Sequence, residues 1–165
     1  QAMSRESSLW DWLSKARVML GEALDINRVE NLVQEGMPDV EGHLRISPQL
    51  QGQFWLELKS EERPARSSTP IRFKVRDKQI EWINRRWAIG GNVFWLLQVG
   101  SGSERRLFLA PGPLGPQLQA GLCEAALAVE CARTGFFQGR ISQKDVLKKV
   151  ISCRRFPLQS SPSRK

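Results

Sequence analysis

Residues 36–59 read Gly36-Met37-Pro38-Asp39-Val40-Glu41-Gly42-His43-Leu44-Arg45-Ile46-Ser47-Pro48-Gln49-Leu50-Gln51-Gly52-Gln53-Phe54-Trp55-Leu56-Glu57-Leu58-Lys59. Glycine permits φ > 0 and proline fixes its own φ, so residues 36–39 form a turn. Residues 40–46 follow as one strand and 53–60 as its neighbour. The second alternates strictly. Phe54, Leu56 and Leu58 share one face, and Trp55, Glu57 and Lys59 share the other.

Toward the N-terminus, Leu9, Trp12, Leu13, Ala16, Met19, Leu20 and Ala23 make one apolar stripe and predict a helix over 5–24. Ser7 or Ser8 is placed to cap it, and Gly21 weakens its last turn. Residues 26–33 read as a short strand. On the other side, 61–70 is a charged, proline-bearing loop. Residues 76–88 are a helix with Ile80, Ile83 and Trp87 on one face, stopped by Gly90-Gly91. Residues 92–99 are the most apolar run and read as a buried central strand, followed by another strand over 105–110.

The order is helix, three strands, helix, two strands. That is an α/β (α+β) chain with a mixed sheet flanked by helices, occupying 4–112. Residues 111–116 carry prolines and glycines and read as a linker. An alanine-rich helix follows over 117–133, with Leu118, Leu122, Ala125, Ala126 and Val129 on one side, then a Ser-capped helix over 142–152. Residues 113–155 therefore form a helical extension that either packs on the core or offers a dimer face. The polar tail, 156–165, is expected to fray.

At 165 residues the chain is long enough to bury one domain core. Lys and Arg number 25 against 17 Asp and Glu, a net charge of +8 with a pI near 10.0. Such a domain usually meets a polyanion, most often nucleic acid, although a basic surface can also serve solubility alone. No apolar run approaches the roughly 18 residues of a membrane span. No basic segment leads into an apolar one, so a secretory signal is not expected. Gln1, Ala2 and Met3 read as additions ahead of a natural start. Cys123, Cys131 and Cys153 contain no C-x-x-C pair and read as thiols of a reducing cytoplasm.

His43 is the single histidine. That removes the multi-imidazole zinc hydrolases, and no Gly-x-Ser-x-Gly elbow supports a serine triad. No Gly-rich phosphate loop or dinucleotide turn is present either. Carboxylates and lysine are left to do any chemistry. Asp39 enters one strand, and Glu57 and Lys59 project together from the next. Same-face side chains on neighbouring strands lie about 5 Å apart, within reach of one cation. Mg2+ takes oxygen ligands, typically one or two carboxylates with water and substrate phosphate, and the Leu58 carbonyl can add another. Lys59 would then lie beside the metal-bound water and the phosphate. An exposed Glu–Lys ion pair would look the same in sequence.

Gly36-Met37-Pro38-Asp39-Val40, then Phe54-Trp55-Leu56-Glu57-Leu58-Lys59, then Gln79 on the next helix, resembles the PD-(D/E)XK nuclease superfamily. The nearest branches are the VRR-type nucleases and Holliday-junction resolvases, many of them phage-encoded. The likeness spans residues 9–100. It implies a restriction-endonuclease-like fold and metal-dependent hydrolysis of DNA, with branched or junction DNA as substrate. By position, Asp39 and Glu57 would ligate Mg2+, with Mn2+ as a substitute, together with the Leu58 carbonyl. Lys59 would be the catalytic lysine, and Gln79 would support the site or the DNA. Many members add an acidic residue before the Pro-Asp turn; Glu30 is the candidate here and Glu22 its competitor. Resolvases cut two strands, so a homodimer fits that branch. The host-cell cytoplasm fits a phage source. A non-catalytic DNA-binding module on the same fold is the alternative, and a metal-dependent RNase would use the same site.

Arg63, Arg66, Arg72, Lys74, Arg76 and Lys78 cluster after Lys59 and are candidate DNA-phosphate contacts. Trp55 shares the face of Glu57 and Lys59, placed to stack on a base or to shield the site. Trp12, Trp82, Trp87 and Trp95 read as packing. His43 reads as structural, with substrate contact as the alternative, and Glu41 as a solvated charge, with a further metal ligand as the alternative.

Overall fold

The computed structural model describes residues 5–30 and 34–153. Six strands form one sheet in chain order: β1 (Leu24–Arg28), β2 (Val40–Arg45), β3 (Gln51–Glu61), β4 (Val93–Val99), β5 (Arg106–Pro111) and β6 (Phe136–Phe137). β3 and β4 run parallel, and every other neighbouring pair is antiparallel. A parallel pair needs a crossover, and α3 (Asp77–Ala88) supplies it. The sheet is thus mixed and flanked by helices, as the alternation and the order of elements predict.

Both faces are covered, which is why all seven residues of β4 are buried. On one face Leu9, Leu13, Leu56, Leu58, Phe94 and Leu96 pack with α6 (Gln143–Ser152) through Val146, Leu147, Val150 and Ile151. On the other, Trp82 and Ile83 of α3 meet Trp95, Leu97 and Phe108 together with Leu118 and Leu127. Each buried Leu, Ile or Phe contributes about 1.5–3 kcal/mol, so both layers matter to stability.

Several elements depart from the sequence reading. The N-terminal helix is two pieces, α1 (Arg5–Ser14) and α2 (Ala16–Leu20), joined at Lys15, whose carbonyl accepts the tighter i→i−3 bond from the Val18 N–H at 3.1 Å; Ser14 Oγ donates back to the Asp11 carbonyl at 3.0 Å. Ser7 and Ser8 lie inside α1 rather than capping it, and Met19 is exposed. β1 begins earlier than expected, burying Leu24 and Ile26; residues 31–33 of the expected strand lie outside the described residues, as does the tail from 154.

The stretch read as a linker is a 3-10 turn (Gly112–Leu114) leading into α4 (Gly115–Ala120). The alanine-rich helix is split. Gly121 at φ +111 ends α4, and α5 (Glu124–Glu130) starts afresh, burying Leu127 and exposing Val129. Between the two helices Leu122 pairs with Ile71 through both main-chain hydrogen bonds, at 2.9 and 3.1 Å. That bridge docks an extended run in which Ile71, Phe73 and Val75 are buried and Arg72, Lys74 and Arg76 face out. Ser142 stands at the N-cap of α6, but its hydroxyl makes no capping bond.

Candidate active site

Asp39 is delivered by the turn that begins at Gly36. Gly36 adopts φ +87, and a Cβ there would sit 2.1 Å from the Lys78 carbonyl oxygen. Only glycine lets this turn press against the first turn of α3. Pro38 is buried, and Asp39 is half-buried at the mouth of β2.

The β2–β3 register pairs Val40 with Leu56, so one step further Asp39 falls opposite Glu57. There the ladder gives way to side-chain bonds. The Asp39 N–H donates to Glu57 Oε2 at 3.1 Å, and the Leu58 N–H donates to Asp39 Oδ2 at 3.1 Å. Gln79 Nε2 donates to Glu57 Oε1 at 2.5 Å, while Gln79 Oε1 accepts the Arg76 N–H at 3.0 Å. Gln79 therefore satisfies an orphan donor at the start of α3 with one end and grips Glu57 with the other. Lys59 Nζ lies 3.5 Å from Glu57 Oε1. Asp39, Glu57, Lys59 and Gln79 are thus gathered into one cluster.

The cluster is largely dry: Glu57 is 1%, Gln79 3% and Lys59 8% exposed. Burial, then the Asp39 charge, pushes the Glu57 carboxyl from its ordinary 4.5 up to about 8, against the pull of Lys59 and the Asp39 N–H. The Asp39 and Glu57 carboxyl groups, held side by side, make an oxygen donor pair, and a buried carboxyl resisting ionisation is one that a divalent cation would relieve. The residues fit such an ion. β2 pairing stops at Val40, so the Leu58 main chain faces the Asp39 carboxylate instead of a ladder partner.

Among the described residues no group of three or more His, Cys, Asp or Glu is placed to hold a metal ion. Glu30 is exposed beyond the end of β1, next to Val29, whose N–H donates to the Asp39 carbonyl at 2.7 Å, and Glu22 is exposed in the 3-10 turn Gly21–Ala23. Glu41 accepts from Gln53 Nε2 at 3.0 Å, and His43 is exposed.

The basic cluster divides. Arg63 Nε donates to Glu124 Oε1 at 2.6 Å and its Nη2 to the Glu104 carbonyl at 2.9 Å, so this guanidinium is engaged within the protein. Lys78 lies 3.4 Å from Glu81 on the surface. Arg66, Arg72, Lys74 and Arg76 are exposed. Trp55 packs edge-on against Trp82 at 5.1 Å, and Arg86 lies over the Trp82 ring at 4.7 Å. Trp55 thus packs, partly buried, against the layer beneath α3. The i,i+4 pairing of Trp82 with Arg86 was the available sequence signal.

No protein-family model matches the sequence, and no curated protein matches it. Among solved structures, Hjc, a Holliday junction resolvase from Archaeoglobus fulgidus, is similar at a TM-score of 0.38 and 15% identity, covering 77% of this chain and 98% of that one. So loose a likeness transfers no residue and no activity.

Proposed function

We propose that this chain is a divalent-metal-dependent endonuclease that hydrolyses DNA phosphodiesters and prefers branched DNA. The observation that carries the reading is the Asp39–Glu57 pair, with Glu57 buried and Lys59 and Gln79 both on it. Asp39, Glu57 and the Leu58 carbonyl would hold Mg2+ or Mn2+, which when bound supplies Lewis acidity and a more acidic water.

The protein's own contributions follow from the geometry. The Asp39 N–H and the Gln79 amide hold the Glu57 carboxylate in one orientation, so little reorganisation remains at the moment of reaction. Lys59 brings a buried positive charge to the place where negative charge grows on a phosphate. Arg72, Lys74 and Arg76 lead from the loop to the start of α3 and would position the DNA backbone. The preference for branches rests on the resemblance of the motif to the resolvase branch.

The test is cleavage of labelled single strand, duplex, flap, splayed fork and four-way junction with Mg2+, Mn2+ or EDTA. Metal-dependent cutting, fastest on a branched substrate, is the expected result. Tight, salt-sensitive binding without cutting under any metal would make the chain a DNA-binding module instead.

A further inference from the structure

Away from the carboxylates, a cleft of about 830 Å³ lies between the loop that follows β3 and α5. Two aromatic rings line its floor. Phe108 and Phe136 are cross-strand partners on β5 and β6, with centroids 5.0 Å apart and planes at 20°. Phe108 is 1% exposed, whereas Phe136 is 38% exposed. The buried ring supports the open one, and ladder pairing holds both.

The rim is cationic. Arg63, Arg66 and Arg106 line it, against Glu124 as the one carboxylate among its lining residues. Glu124 accepts from Arg63 at 2.6 Å and from Arg106 at 2.5 Å, which fixes both side chains at the edge. Arg66 makes no ion pair among the described residues, and three guanidiniums facing one carboxylate leave the rim net positive.

The cleft also lies at one end of the outward-facing basic run. Ile71 lines the cleft, and Arg76 precedes the helix that carries Gln79 to Glu57. Arg72, Lys74 and Arg76 are exposed along that run.

We infer that this cleft binds an unpaired nucleotide of the DNA substrate, its base stacked on Phe136 and its phosphate held by Arg66 and Arg106. A paired base stays in its stack and cannot present a face to Phe136, whereas an unpaired base at a branch can. The inference rests on the endonuclease reading and names what makes branched DNA the preferred substrate.

The full chain in EDTA, where cutting is absent, is titrated by fluorescence anisotropy against a labelled 20-mer single strand and the matching duplex. Phe136→Leu keeps an apolar side chain on β6 but removes the ring face. It should weaken single-strand binding about tenfold and leave duplex binding unchanged. Arg66→Ala should weaken single-strand binding too and flatten its salt dependence. A 2-aminopurine placed in the unpaired arm of a fork should be quenched by wild type and not by Phe136→Leu. Single-strand affinity and quenching unchanged in Phe136→Leu would overturn the inference, even if metal-dependent cutting stands. Weakened single-strand binding in a protein that cuts nothing would support the cleft and overturn the nuclease reading instead.

Discussion

Asp39 and Glu57 hold each other across two strands: the Asp39 N–H donates to the Glu57 carboxylate, and the N–H of Leu58, next to Glu57, donates to the Asp39 carboxylate, both at 3.1 Å. Two acidic groups that would repel are thereby fixed side by side, and the main chain itself does the fixing. Gln79 completes the hold on Glu57 from a different element.

Gln79 acts through Glu57, so its loss should appear as a change in metal response. Gln79→Ala should raise the Mg2+ concentration giving half-maximal cleavage about 10- to 100-fold. Gln79→Glu should fare no better, because its carboxylate places a second acidic group against Glu57. A Mg2+ titration of cleavage rate reads the effect, and an unchanged midpoint would remove Gln79 from the site.

Stability without metal should fall as pH rises. The native Glu57 carboxyl keeps its proton up to about 8, while the unfolded one loses it near 4.5. Between those values the native state binds more protons, so rising pH favours unfolding. Thermal melts in EDTA across that window should show Tm declining, with a shallower decline in Glu57→Gln. Added Mg2+ should shrink the wild-type decline, because bound cation favours the ionised carboxyl.

Gly36→Ala and Gly90→Ala separate steric clash from backbone strain. Both glycines have positive φ, +87 and +93, but a Cβ at Gly36 meets the Lys78 carbonyl oxygen at 2.1 Å and one at Gly90 meets nothing within 4 Å. Gly90→Ala should cost about 1–2 kcal/mol, the left-handed penalty alone. Gly36→Ala should cost more, and it should also depress cleavage by displacing Asp39. Equal destabilisation of the two in denaturant melts would contradict this packing.

Arg72, Lys74 and Arg76 should each contribute to the salt dependence of duplex binding. Alanine at any one should reduce the slope of log K against log salt by about 1, whatever the DNA sequence. Arg63→Ala should leave that slope nearly unchanged and lower Tm, since it strands Glu124 beside a single arginine.

The meander, the crossover helix and the buried β4 were legible because each carries a strong local period: strict alternation in 54–59, a helical stripe in 76–88, an unbroken apolar run in 93–99. The face shared by Glu57 and Lys59 was legible for the same reason. Their burial was not, since it depends on α3 and the docked run Ile71–Val75 closing over them. Arg63 read as a free cation because its partner, Glu124, is 61 residues away. Phe136–Phe137 is too short to show a period, and Gly121 alone could not announce a helix break that the Ile71–Leu122 bridge enforces.

The most direct test compares cleavage of a four-way junction in Mg2+ by wild type, Asp39→Ala and Lys59→Ala, each shown folded by circular dichroism. The site described here predicts metal-dependent cutting by wild type and a loss of at least about 100-fold in both variants. Full metal-dependent cutting by either folded variant would contradict it.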